Sequence, residues 1–314
     1  MSTPVRTAHP LARVLTALFA AVGLIAGVGA LPASAAPAPP VNFVNLGDSY
    51  SAGWGAGAIE PNPLVDSQCL GSSPDHITAL SALTSLHLVG DYACAGATLA
   101  GSIPMEIAIA AQRDHALNDQ TGLVTLTGGG NDLGFDTLLK DCGDLKKVGG
   151  NCTNLFTAGG ESASDLIAPL VQSVASQIRA AAPNARIAWL GYPHLFATPG
   201  LPTTMNPGGG FLTAEEVTAL NGAADALNTA IETGLAEAAE SGVANTQFIT
   251  VVSKFAGHEI GSYDSWMTPL VLSEALPGYI FNLHPNATGY LEGYYPAVVS
   301  QVKPSQLAHA AAKG

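Results

Sequence analysis

The sequence predicts an α/β domain built on a parallel sheet with helices on both faces. Three observations carry this. Short apolar runs that read as strands alternate with longer helical stretches along a chain of 314 residues. The first three runs end in small, glycine-bearing turns, each with a candidate polar group: Ser49, Gly96 and Asn131. The composition, 47% hydrophobic and 11% charged, is ample for one full core and not clearly enough for two. Strands alternating with helices imply parallel pairing, and in parallel sheets sites form at the carboxyl ends of the strands.

Residues 1–35 do not count towards that fold. Arg6 and Arg13 precede an apolar stretch from Val14 to Leu31, and Ala33-Ser34-Ala35 follows as a small-residue cleavage site. This is the layout of a cleaved secretory signal peptide, leaving residues 36–314 as a single domain. The rival reading is an uncleaved anchor, since the apolar stretch is borderline for spanning a bilayer. Formal net charge is −13, from 24 acidic and 11 basic residues. The leader removes two arginines and no acid, so the mature chain is more acidic still. Such a surface argues against nucleic acid and against electrostatic docking to anionic membranes. A monomer without stable membrane insertion is expected.

The elements follow in order. Phe43 to Leu46 read as a buried strand feeding Gly47-Asp48-Ser49, with Gly53, Gly55 and Gly57 beyond. A loop runs to Ser73. A helix is expected from Pro74 to Ser85, with the proline in its first turn. Leu86 to Val89 is the second strand, ending in Ala93-Cys94-Ala95-Gly96-Ala97-Thr98. Residues 103–117 form a helix, and Leu123 to Thr127 is the third and most β-like strand, running into Gly129-Gly130-Asn131-Asp132. An acidic, glycine-rich excursion holding Cys142 and Cys152 precedes an amphipathic helix from Ser164 to Ala182. Arg186 to Gly191 is the fourth strand. Residues 197–210 are loop, and Thr213-Ala214-Glu215-Glu216 reads as a capping box opening a helix to about Glu240. Gln247 to Val252 is the fifth strand, 255–280 reads as irregular, and a last helix runs from beyond His284-Pro285 to about Val302. The tail after Lys303 is expected to fray.

The four cysteines, Cys69, Cys94, Cys142 and Cys152, imply two disulfides in an exported chain. Three pairings exist. Cys69–Cys94 and Cys142–Cys152 are favoured because each closes a local loop. Zinc is the alternative, but no Cys-x2-Cys spacing or nearby histidine pair supports it.

Four blocks, in order, resemble the secreted GDSL (SGNH) hydrolases, especially actinobacterial lipases and esterases: Gly47-Asp48-Ser49-Tyr50-Ser51, Ala93 to Thr98, Gly129-Gly130-Asn131-Asp132, and His284-Pro285. The resemblance implies a three-layer α/β/α sandwich with flavodoxin-like strand order 2-1-3-4-5. It implies an ester hydrolase acting through an acyl-enzyme, on acyl esters of lipids or short-chain alcohols, with no metal or cofactor. Ser49 would be the nucleophile and His284 the base. The Ser49 N–H, the Gly96 N–H and the Asn131 amide would form the oxyanion hole. Most of the family carries Asp three residues before the histidine. Phe281 stands there in this chain, so a Ser–His dyad is expected, oriented by the Phe281 carbonyl, with Asp264 as the rival.

Within that chemistry a phospholipase or polysaccharide deacetylase is the alternative; outside it, an inert binding protein on the same scaffold. His194 is expected to line the pocket and His258 to brace the last loop. Loop residues 255–280 would form an acyl cleft, with Trp266 and Trp54 as candidates to contact the chain. Asp48 and Asp132 are expected to bond local amides rather than react.

Overall fold

A computed structural model describes residues 39–135, 162–198, 214–268 and 282–311. The central sheet has five parallel strands: β1 (Val41–Gly47), β4 (Leu86–Asp91), β5 (Leu123–Thr127), β6 (Arg186–Leu190) and β7 (Thr246–Ile249). Their order is β4-β1-β5-β6-β7. Counted without the outlying hairpin, this is the expected 2-1-3-4-5. Register places Leu46 beside Leu126, and Leu126 beside Trp189. All three side chains are fully buried. β5 is buried along its whole length, as a strand covered on both faces must be.

Helices α2 (Ser102–Ala108), α3 (Ala163–Ala181) and α4 (Ala214–Glu240) pack together. A second group is formed by α1 (His76–Leu83), a π-helical turn over Gly289–Tyr294 and the helix it enters, Tyr295–Val302. α3 opens on a reciprocal cap, in which the Ser162 hydroxyl accepts from the Asp165 N–H and the Asp165 carboxylate accepts from the Ser162 N–H. α3 and α4 meet where Gly234 lets the backbones close. A Cβ at 234 would lie 2.5 Å from the Ala168 carbonyl oxygen and 2.7 Å from Val171 Cβ. Gly234→Ala should therefore destabilise by roughly 1–2 kcal/mol despite the better helix propensity of alanine, because overpacking outweighs it. An unchanged or raised Tm would contradict this contact.

Several boundaries differ from expectation. α1 starts at His76, not Pro74, because the Asp75 carboxylate accepts from the Thr78 N–H at 2.9 Å and so caps the helix. β7 stops at Ile249, and Val252–Phe255 coil into a short helix, α5. The described part of the tail, to Ala311, is helical and not frayed. Lys303, left-handed at φ 55°, ends the helix Tyr295–Val302 (α6), and Pro304–Ala311 form a further helix, α7, with Ala308 buried. A two-stranded antiparallel hairpin, β2 (Ala58–Pro61) and β3 (Leu70–Ser73), occupies what was expected to be loop. The Cys69–Cys94 disulfide forms at its loop end, where Cys69 directly precedes β3, with Cα atoms 5.2 Å apart. Cys142, Cys152, the 197–210 loop beyond Thr198 and Thr213 of the expected capping box lie outside the described residues.

Candidate active site

β1 ends in a turn that only glycine can make. Gly47 has φ +115°, and a Cβ there would lie 2.2 Å from the Thr127 carbonyl oxygen at the end of β5. The Gly47 N–H donates to the Glu106 carboxyl at 2.7 Å, and its carbonyl accepts from the Cys94 N–H at 2.8 Å. One glycine thus joins the turns that follow β1 and β4. From Asp48 the chain coils: the Ala52 N–H bonds the Asp48 carbonyl and the Trp54 N–H bonds the Ser49 carbonyl. Ser49 stands at the head of this coil with its own N–H unpaired among the described residues.

Beneath it lies a buried polar cluster. The Asp48 carboxylate, 1% exposed, accepts from the Tyr50 N–H (3.0 Å), the Thr127 hydroxyl (2.6 Å) and the Tyr192 hydroxyl. Burial pushes the Asp48 carboxyl above its ordinary range, and these three donors act in the opposite direction. Glu106 is fully buried and pushed well up, with one oxygen unpartnered among the described residues. Ser51 and Thr127 bond each other through two backbone N–H donors, fixing the distance between the ends of β1 and β5.

His284 comes to Ser49 from the last loop. Its Nε2 lies 2.7 Å from Ser49 Oγ and its Nδ1 lies 2.7 Å from the Asn282 carbonyl oxygen. A carbonyl only accepts, so Nδ1 carries the proton and Nε2 presents its lone pair to the hydroxyl. Asn282 supplies the described carbonyl on Nδ1; Phe281, whose carbonyl was expected there, lies outside the described residues. Leu283 is left-handed at φ 65°, and this reversal folds the peptide two residues back onto the imidazole. The rival, Asp264, is placed on His258. Its carboxylate lies 3.3 Å from His258 Nδ1, and its carbonyl lies 2.8 Å from the same atom. His258 stacks on Trp266 at 3.6 Å and braces the loop, as expected.

Gly96, φ +86°, has nothing within 4 Å of where a Cβ would sit, and its N–H is unpaired among the described residues. The Asn131 amide spends one N–H on the Ala97 carbonyl at 2.8 Å, which leaves the second for another acceptor. Asp132 accepts from the Leu99 and Ala100 N–H groups, tying the glycine block to the asparagine block.

Ser49, Asn131 and His284 share one pocket, whose apolar wall includes Phe135, Pro193, Leu195, Ala224, Leu227 and Leu283. The expected cleft from 255–280 is not what the described part of that loop forms, since no residue up to Thr268 lines this pocket. Trp266 packs on His258 and edge-on to Phe255, and Trp54 is buried. His194 pairs with Asp225 at 2.8 Å instead of lining the pocket. Sequence reasoning missed Tyr50, Thr127, Tyr192 and Glu106. The only signal was their position, beside the turns already singled out or on an adjoining helix.

A parallel α/β sandwich in which a serine hydroxyl meets an imidazole beyond the carboxyl ends of its strands is a hydrolase class of site. Comparison with known proteins narrows the class. Residues 46–291 match the GDSL-like Lipase/Acylhydrolase family. Lipase 2 of Streptomyces coelicolor is 33% identical across 89% of this chain and 93% of its own length. The crystal structure of phospholipase A1 from Streptomyces albidoflavus NA297 is similar with a TM-score of 0.66 and 30% identity, over 83% of this chain and 99% of that one. An extracellular lipase of Streptomyces rimosus gives 0.64 and 27%, over 83% and 99%. The chain belongs to the GDSL-like lipase/acylhydrolase family and is a carboxylic ester hydrolase.

Proposed function

We propose that Ser49 and His284 form a catalytic dyad that cleaves acyl esters through an acyl-enzyme. Ser49 Oγ bonds the ester carbonyl carbon as its proton passes to His284 Nε2, and the carbonyl oxygen becomes an oxyanion. The Ser49 N–H, the Gly96 N–H and the free Asn131 N–H receive that charge. Collapse breaks the bond to the alcohol oxygen, which leaves with the proton from Nε2. Water then repeats the sequence in reverse roles, giving the acid and free Ser49. The Asn282 carbonyl keeps the imidazole in the tautomer this needs. The observation that carries the reading is the pair of 2.7 Å contacts on the two ring nitrogens of His284.

The substrates are acyl esters of lipids or of small alcohols, with the acyl chain along the Leu195–Leu227 wall. A phospholipid is the second reading, favoured by the likeness to the S. albidoflavus phospholipase A1. The chain is exported as a single domain after cleavage behind Ala35, and Cys142 pairs with Cys152. The likeness to an extracellular lipase supports export.

The test is turnover of nitrophenyl esters of graded acyl length and of a phosphatidylcholine, with mass spectrometry of the quenched enzyme. An acyl adduct on the peptide bearing Ser49 is expected. A protein inert towards every ester offered, or an adduct elsewhere, would sink the proposal.

A further inference from the structure

We infer that Tyr50, the residue after the proposed nucleophile, is a positioning residue for His284. This rests on the dyad reading above and goes beyond it. Tyr50 is the one described side chain that holds the nucleophile turn and the histidine loop together from both ends. Its N–H is fixed at 3.0 Å by the Asp48 carboxylate, so the main chain that carries Ser49 sets where its ring goes. The ring lies against the imidazole, with centroids 5.1 Å apart at 40°, and edge-on to Tyr192 at 5.0 Å. Its hydroxyl donates to the Leu283 carbonyl, between the Asn282 carbonyl that orients His284 and His284 itself.

That bond falls where the chain is least comfortable. Leu283 is left-handed at φ 65°, a conformation a branched apolar residue adopts only when its surroundings impose it. Both ends of the bond are buried, Tyr50 at 7% and Leu283 at 8% exposure, so water is a poor substitute donor. The phenol stays protonated at any working pH, because burial and the neighbouring Asp48 hold its pKa far above the ordinary value. The geometry gives the hydroxyl one role, which is to keep the reversed peptide in place, so that the Asn282 carbonyl stays on Nδ1 and Nε2 stays on Ser49 Oγ. Small displacements of a reacting group are costly, which makes such a tether matter for turnover more than for affinity.

The experiment compares wild type, Tyr50→Phe and Tyr294→Phe on a short nitrophenyl ester, with Tm and the Nδ1–H proton resonance of His284 read alongside. Tyr294 is a matched control. It is a fully buried phenol of the same aromatic cluster, 6.1 Å from Tyr50, and its hydroxyl donates to the Gly191 carbonyl, away from the histidine loop. Tyr50→Phe should lower kcat about tenfold, as the loss of one buried hydrogen bond at a positioning group allows. KM should stay within about twofold, and the Nδ1–H signal should broaden or shift upfield. Tyr294→Phe should change Tm at most. Unchanged kcat in Tyr50→Phe, an equal loss in Tyr294→Phe, or a Tyr50→Phe chain that melts below the assay temperature would each overturn the assignment. The last outcome would make the hydroxyl a requirement of folding. If wild type itself is inert, the dyad reading fails; active wild type with unaffected Tyr50→Phe defeats the Tyr50 inference alone.

Discussion

Ser49→Ala should lower kcat on any ester by roughly 10⁴-fold or more, with KM changed little. Without the hydroxyl no acyl-enzyme forms, while the pocket wall and the three N–H donors persist. The residual rate should still exceed that of water, because the donors can polarise a bound carbonyl. His284→Ala should cost a similar factor, since a serine hydroxyl without a base is a poor nucleophile near neutral pH. The double variant should be scarcely worse than either single one, because the two groups act as a unit. Steady-state kinetics on the three proteins checks this. Additive losses would mean that the 2.7 Å contact between Nε2 and Oγ is not the operative one.

Gly47→Ala should remove both fold and activity, by a route that touches no reacting atom. The added carbon would stand 2.2 Å from the Thr127 carbonyl oxygen and 2.8 Å from the Thr127 nitrogen, both backbone, and φ +115° is hostile to any side chain. Neither strand can yield, since β1 and β5 are paired in the middle of the sheet. A loss of at least about 3 kcal/mol is expected from overpacking together with the strained backbone. Thermal unfolding would read it. A variant that melts within a degree or two of wild type would show that the turn can be rebuilt.

Much of the architecture was legible because its signals are local. β5 is a run of apolar and β-branched residues bounded by glycine, and α3 shows its buried stripe by spacing. Ser49 and His284 stood out through the four blocks that resemble the family, and the structure brings their side chains within 2.7 Å. The parts that escaped have no side-chain signature. The Asn282 group on His284 Nδ1 is a main-chain carbonyl, brought there by the backbone reversal at Leu283, where leucine gives no warning. The β2–β3 hairpin lacks apolar alternation and forms beside a cross-link and the body of the domain. α7 looked like a fraying tail because alanine-rich composition says nothing of docking, yet Ala308 is buried. An apolar cleft was sought in loop residues 255–280, whereas the described pocket wall draws on Phe135, Pro193, Leu195, Ala224, Leu227 and Leu283.

The Cys69–Cys94 cross-link gives the molecule a dependence on oxidation that its chemistry does not need. Among the described residues no sulfur lines the pocket, yet Cys94 lies two residues before Gly96 and its N–H holds Gly47. A reducing agent would therefore leave the hydroxyl and the imidazole facing each other while releasing the turn that presents one of the proposed anion donors. Thiol status would act on turnover from outside the reaction, and a freshly made, still reduced chain would carry the proposed dyad assembled beside an unsettled set of proposed anion donors.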